Sequence, residues 1–397
     1  MVDRKGRDYD EPVGRAIKRL RNAALMTQAE LAAAAGVSLD LIRKLEQEVR
    51  YTTSIASLHK IARALDVETS ELLAKTSTLP APTESSGVIA MRRVLTGIDD
   101  LLDDYAELME PPTSVDLART VAYAWGAYWA GRYEQLGEVL PNALLSVRAA
   151  DQDCADLGAQ LYQVTACTLV HLGHPDAAHL ALREGLRLAK AGSDPLRAAA
   201  LRGSVAWLLL TQGRFTESHR LAVATARDIA PDGTEIPRMS LWGSLLLSGA
   251  TAAGRDGDSA TAHGLLSEAA DVARHTGNRN DFEVAFGPDQ VTMQTCDVQI
   301  VTESYGAALK TARLMPCTTP LPLAARARHL ADRALAQTRL NQDAVALDTL
   351  LAMESLAPVW AKYQTQPRMV VQELIGRERR ARTPRLRELA RRLGVTS

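Results

Sequence analysis

Apolar residues along this chain recur almost everywhere at three- and four-residue spacing, the period of helices that bury one face. Val13, Ile17, Leu20 and Ala24 fall on one side of a first segment, with Arg15, Lys18, Arg19 and Arg21 around the rest. Thr27 is placed to cap a second helix, and Glu30 stands three residues on, at capping-box spacing. Leu31, Ala32 and Ala35 face inward, and Gly36 then offers a left-handed backbone position at little cost. Ser38 caps a third helix anchored by Ile42 and Leu45. A fourth helix is expected at about residues 55–64, with Leu58, Ile61 and Leu65 inward. A short fifth follows from Glu68 to Leu73 or Ala74.

The stretch from Thr76 to Gly87 holds two prolines and several small polar residues, which cannot propagate a helix. It divides the chain into a five-helix head at 1–75, a linker at 76–87 and a long remainder at 88–397. That remainder reads as helix pairs. Turns at Gly131, Gly173, Gly213, Gly257 and Asn341 each separate two helical runs. Five positions after the turn stands a small residue, Ala178, Ser218, Ala262 or Ala346, with Leu136 in the first pair. Four positions further come Leu140, Leu182, Ala222, Leu266 and Leu350. The first four turns are roughly 40 residues apart and the last gap is about double. One more repeat is therefore expected between Phe286 and Met315, turning near Glu303, Ser304 and Tyr305. A helical hairpin cannot bury its own apolar face, so such repeats stack into a solenoid. The fold class is all-α, a five-helix head followed by an α-solenoid of tetratricopeptide-like hairpins with a period longer than that repeat's ~34 residues.

Composition agrees. Of 397 residues, 46% are hydrophobic, 23% charged and only 4% aromatic, which suits helix against helix and disfavours sheets. The formal net charge of -1 argues against a chain coated in nucleic acid. Cys154, Cys167, Cys296 and Cys317 have no metal-binding spacing and are expected as reduced thiols buried in helices. Nothing near Met1 has the apolar core of a signal peptide, and no apolar run nears the ~20 residues of a membrane span. The expectation is a cytoplasmic protein without a membrane partner. No Gly-rich phosphate loop, H-E-x-x-H or nucleophile elbow occurs, so neither an enzyme activity nor a cofactor is expected. His171, His174 and Asp176 read as turn-proximal surface residues, with metal binding the minor alternative.

Two short helices meeting at Gly36 form the plan of a helix-turn-helix, whose second helix enters the DNA major groove. Ser38, Leu39, Asp40, Arg43 and Lys44 stand where side chains reach base edges. Arg43 or Lys44 suits guanine acceptors, Asp40 a cytosine amine and Leu39 a thymine methyl. Thr27, Gln28 and the amides at that helix start suit a phosphate, and Arg50 and Tyr51 are further phosphate candidates. For Arg43 and Lys44 the alternative is solvated surface charge. Arg377, Arg379, Arg380, Arg382, Arg385, Arg387, Arg391 and Arg392 surround Leu386, Leu389 and Leu393 near the end of the chain. That basic face is either a solvated cap on the solenoid or a contact for DNA phosphate or an acidic partner.

Residues 13–73 resemble the phage-repressor, or XRE, family of helix-turn-helix regulators. The resemblance rests on Gln28, on the core pattern Leu31, Ala32, Gly36, Val37, Ile42 and Leu45, and on Leu58, Ile61, Ala62 and Leu65. It implies a phosphate-holding role for Gln28 and a buried ion pair between Arg21 and Glu46. The family's usual glycine two residues after that Glu is Glu48 here, so either the reading helix runs on or the loop takes another path. The head with its solenoid is similar to peptide-sensing quorum regulators of Gram-positive bacteria. Stretches at 286–291, 356–358 and 386–395 look like actinobacterial regulators of that build.

The resemblance implies double-stranded operator DNA, a short peptide or small-molecule effector and a homodimer as partners. First helices of each pair usually line the concave side, so Gln163, Arg202, Trp207, Trp242, Gln290, Met293, Gln294 and Asp297 are candidate ligand contacts. For the Trp and Met residues a place in the core is the competing reading. A protein-interaction scaffold is the alternative function.

Overall fold

The computed structural model describes residues 12–49, 53, 55–67, 72, 86–97, 111–233, 235–377 and 383–395. Twenty helices, and no strand, are found among them. The head contributes α1 (Val13–Ala23), α2 (Gln28–Ala35), α3 (Leu39–Glu46) and α4 (Ile55–Ala64). Helix α1 stops at Ala23 because Leu25 turns left-handed (φ 56) and stands in solvent, which leaves Ala24 outside the apolar stripe. Ile17, Leu31, Ile42, Leu45, Leu58 and Ile61 are fully buried and close one core. Of the expected fifth helix only Leu72 is described, and it joins that core. Arg50, Tyr51 and residues 76–85 lie outside the described residues.

Helix α5 (Ser86–Leu95) takes in the last two residues of the expected linker. Gly87 lies against the backbone of Gly137, and a Cβ there would sit 2.5 Å from the Gly137 Cα. Its glycine serves a close helix crossing rather than a flexible connection. Six hairpins follow. The first helices are α6 (Ser114–Trp129), α8 (Ala155–His171), α10 (Arg197–Thr211), α12 (Ile236–Asp256), α14 (Pro288–Val301) and α16 (Leu323–Arg339). Their second helices are α7 (Tyr133–Arg148), α9 (Pro175–Ala191), α11 (Phe215–Asp228), α13 (Ser259–Thr276), α15 (Tyr305–Ala312) and α17 (Asp343–Leu356). Helices α18 (Pro358–Tyr363), α19 (Thr365–Arg377) and α20 (Pro384–Arg392) close the array.

All six turns use one left-handed residue: Gly131, Gly173, Gly213, Gly257, Glu303 and Asn341, at φ between 59 and 95. Glu303 marks the extra repeat. Five residues after each turn, Leu136, Ala178, Ser218, Ala262, Ala308 and Ala346 are 0 or 1% exposed. That position is where the second helix crosses back over the first. Ser218 is tolerated there because its hydroxyl donates to the Ala206 carbonyl at 2.7 Å. First helices of successive hairpins pack on one another, and each second helix packs on the next first helix. The first helices thus form an inner layer, in which each buried leucine contributes about 1.5–3 kcal/mol.

Three cysteines are buried, but Cys317 is exposed in the connection after α15 and corrects the expectation of four buried thiols. His171 is also not a surface residue. Its ring stacks on Tyr133, faces Trp207 and meets the Tyr128 hydroxyl at 3.1 Å, and burial pushes it down to about 4. No cluster of metal-binding side chains is found among the described residues. None of their helices is long and apolar enough to cross a membrane.

Candidate nucleic-acid interface

Helix α3 is positioned by caps, one glycine contact and one buried ion pair. Thr27 accepts from the Glu30 amide while the Glu30 carboxylate accepts from the Thr27 amide, completing the capping box. Gly36 is left-handed (φ 60), and Ser38 accepts from the Leu41 amide to start α3 in a new direction. Gly14 lets α1 cross α3 at backbone contact, since a Cβ there would land on the Leu45 carbonyl. This glycine escaped the sequence reading because only the crossing gives it a role.

Beneath α3, Arg21 grips Glu46 through Nε to Oε1 at 2.7 Å and Nη2 to Oε2 at 2.9 Å. Its Nη1 donates to the Met26 carbonyl at 2.7 Å. Burial pushes the Glu46 carboxyl up, but hydrogen bonds from Arg21 and Gln28 outweigh it and hold it below its usual range. Gln28 Nε2 donates to Glu46 Oε2 at 2.8 Å, so its amide nitrogen is engaged inside the domain. Helix α3 ends at Glu46. Glu48 then takes the left-handed position (φ 56) that the family usually gives to glycine, and its carboxylate pairs with Arg15. The helix therefore does not run on past Glu46, and Glu48 makes the turn that follows it.

Ser38, Asp40, Arg43 and Lys44 are exposed on one side of α3, and Leu39 is half-buried. Lys44 and Asp40 pair at 2.7 Å, an i,i+4 bridge that satisfies the acid in free protein. The Arg43 side chain has no hydrogen-bond or ion partner among the described residues. Thr27, its hydroxyl used by the cap, is exposed beside Gln28.

The head rests on the array. The His59 ring meets Phe215 edge-on at 5.6 Å, and Met369 of α19 joins the head's core. His59 and Lys60 reach the turn glycines Gly213 and Gly257, where a Cβ would press on them. Thr53 lines a small cleft with Arg255, Asp297, Arg328, Asp332 and Gln366.

Three of the candidate ligand contacts, Gln163, Met293 and Asp297, are buried. Gln163 is buried and donates to the Ser204 hydroxyl at 3.0 Å. Asp297 is buried between Arg255 (2.9 Å) and Arg328 (2.7 Å). Burial pushes its carboxyl up, but the two guanidinium groups outweigh that and hold it below the usual range. Met293 is buried, and Gln294 accepts from the Thr251 hydroxyl. Arg202 pairs with Asp228, and Gln290 is half-buried. Trp207 and Trp242 are half-buried against the inner-layer cores. Sequence reasoning missed Trp129, Arg197 and the segment between Gly277 and Gly287 that lies against them. The signal available was that pair of glycines, bracketing a connection longer than the hairpin turns. In the terminal helix Arg385 pairs with Asp348 and Arg392 with Glu354, both on α17, while Arg379, Arg380 and Arg382 lie outside the described residues.

A family model described as Helix-turn-helix (HTH_3) matches residues 17–72. No curated protein matches the chain. Among solved structures it is similar to PlcR of Bacillus thuringiensis in complex with the peptide PapR7 and DNA, at 13% identity and a TM-score of 0.38, covering 77% of this chain and 95% of that one. It is similar to the apo form of the competence regulator ComR from Streptococcus vestibularis at 14% identity and a TM-score of 0.29, covering 81% and 98%. A mutant of PrgX gives 12% and 0.25, covering 87% and 94%. At these scores the fold stands on its own contacts, and the assignment rests on the head alone: residues 17–72 are a helix-turn-helix domain of the HTH_3 family.

Proposed function

We propose that this protein is a DNA-binding transcriptional regulator whose helical array senses a ligand, a short peptide or a comparable small effector. The observation that carries the reading is the exposed side of α3, where Ser38, Asp40, Arg43 and Lys44 project from a helix locked by the Arg21–Glu46 pair. Arg43 is the base-reading candidate, bidentate to guanine O6 and N7, with Lys44 released from Asp40 on the DNA. Thr27 and Gln28 sit at the start of α2, where amides and the helix dipole favour a phosphate. Arg50 and Tyr51 remain phosphate candidates by sequence position.

One head neutralises few phosphates, so the affinity of a single copy is low and a homodimer on two half-sites is the working form. What supports the sensing role is the apolar contact area that half-buried Trp207 and Trp242 offer on the inner layer. A ligand acts by binding DNA-competent and incompetent arrangements unequally, and a near-complete switch takes about 5.5 kcal/mol of difference. In a binding assay on promoter-derived duplex, Arg43→Ala loses about 1–3 kcal/mol, with much less loss on scrambled duplex. Equal losses on both make Arg43 a phosphate contact. No preference of the wild-type protein for its own promoter over random duplex overturns the regulator reading.

A further inference from the structure

Between α13 and α14 the chain makes a strap, closed by an antiparallel bridge in which Arg279 and Phe286 exchange both backbone hydrogen bonds, at 2.7 and 3.0 Å. Its tip, Asp281–Glu283, packs against α10 and α12 of the inner layer. Phe286 is wedged over Gly243, where a Cβ would strike its ring. The Glu283 carboxylate accepts from the Trp129 indole N–H at 2.9 Å, across 154 residues of sequence. The Phe282 ring lies under the Arg197 guanidinium, 5.3 Å from Cζ to centroid.

Arg197 is the unusual group. It is 9% exposed, and its Nε and Nη1 are buried without a hydrogen-bond partner. Its nearest acid, Asp194, stands 3.6 Å from Nη2. An aromatic face attracts a cation but offers no lone pair to its N–H donors. The strap is itself held in a costly shape, for Phe282 and Glu283 are both left-handed (φ 55 and 59), a conformation side-chain-bearing residues avoid. A strained segment thus covers a buried cation that it does not satisfy.

We propose that the strap is an internal occupant of a ligand subsite on the inner layer, and that the ligand it stands in for carries a carboxylate beside an aromatic or similarly flat apolar group. The carboxylate accepts from the unpartnered Arg197 Nε together with Nη2, the side-on bidentate pair of a guanidinium, Nη2 reaching Asp194 only at 3.6 Å in this structure. The flat group takes the place of Phe282, and the Trp129 N–H, freed from Glu283, donates to a second acceptor. This deepens the ligand-sensing reading above and rests on it for its biological meaning, but binding at the subsite is measured independently of DNA.

The probe is the dipeptide acetyl-Phe-Glu with a free terminal carboxylate, and the control is acetyl-Phe-Gln amide, both titrated into the full chain by calorimetry. The variant Phe282→Gly/Glu283→Gly empties the strap while keeping its backbone, because glycine adopts positive φ freely. If the strap holds the subsite about nine-tenths of the time, the emptied protein binds the acidic dipeptide about tenfold tighter than wild type. The control gains nothing, and Arg197→Gln in the emptied background abolishes the gain. The milder Glu283→Gln keeps the fold close to wild type and shifts the same ratio in the same direction. Equal affinities of wild-type and emptied protein, including no binding to either, overturn the proposal, as does equal binding of the neutral control. Promoter binding without dipeptide is measured in parallel. Its loss in the wild type sinks the regulator reading, whereas equal dipeptide affinities sink only the strap.

Discussion

Arg21→Met tests the ion pair that holds the reading helix. The substitution keeps the apolar stem and removes three charge-assisted hydrogen bonds, two to Glu46 and one to the Met26 carbonyl. Glu46 then keeps only Gln28 as a donor, while its side chain is 2% exposed. Breaking one half of a buried pair costs about 3–5 kcal/mol. A unit the size of the head holds about 3–8 kcal/mol in total. The loss is therefore comparable with the head's whole stability, and the array, with its own core, stays folded. Amide exchange read by mass spectrometry separates the two, with protection in α1 and α3 falling roughly a hundredfold or more while α8 and α10 are unchanged. Promoter binding falls with it. The double variant Arg21→Met/Glu46→Leu removes both charges and restores most of the protection, because no uncompensated carboxylate remains. Wild-type protection in the single variant refutes the reasoning, as does a double variant protected no better than the single.

Gly14→Ala forces a methyl group onto the Leu45 carbonyl, and because backbone cannot give way as a side chain can, it lowers head stability by about 1–3 kcal/mol in a denaturant titration; an unchanged midpoint would mean that α1 and α3 do not cross there. Burial pushes His59, His171 and His329 each down to about 4, with the charges of Arg255 and Arg333 adding to it at His59 and His329. These depressed imidazoles are neutral in the folded state, so the stability they permit is full above the ordinary value of ~6.5 and is lost as pH falls towards about 4. The thermal midpoint should drop across that window, and a flat profile between pH 7 and 5 would contradict it.

Much of the head and of the repeat rhythm was legible without coordinates, because both follow from local rules. Capping at Thr27 and Ser38, the left-handed Gly36 and the spacing of Leu31, Ile42 and Leu45 depend on neighbours a few residues away. The extra hairpin at Glu303 could be inferred from the doubled gap alone, since each repeat must present the same face to the next. Other features needed the fold. Gly14 and Gly87 are required by crossings with residues distant in sequence. His171 looked like a turn residue until the array brought Tyr128, Tyr133 and Trp207 around it. Asp297 and Gln163 stood out as polar residues on apolar helices, but only packing supplied Arg255, Arg328 and Ser204 as their partners. The meeting of Trp129, Arg197 and Phe282 joins residues from three separate parts of the chain. Periodicity tells which side of a helix is covered; which side chain covers it is settled by the stacking of hairpins, a property of the whole array rather than of any segment.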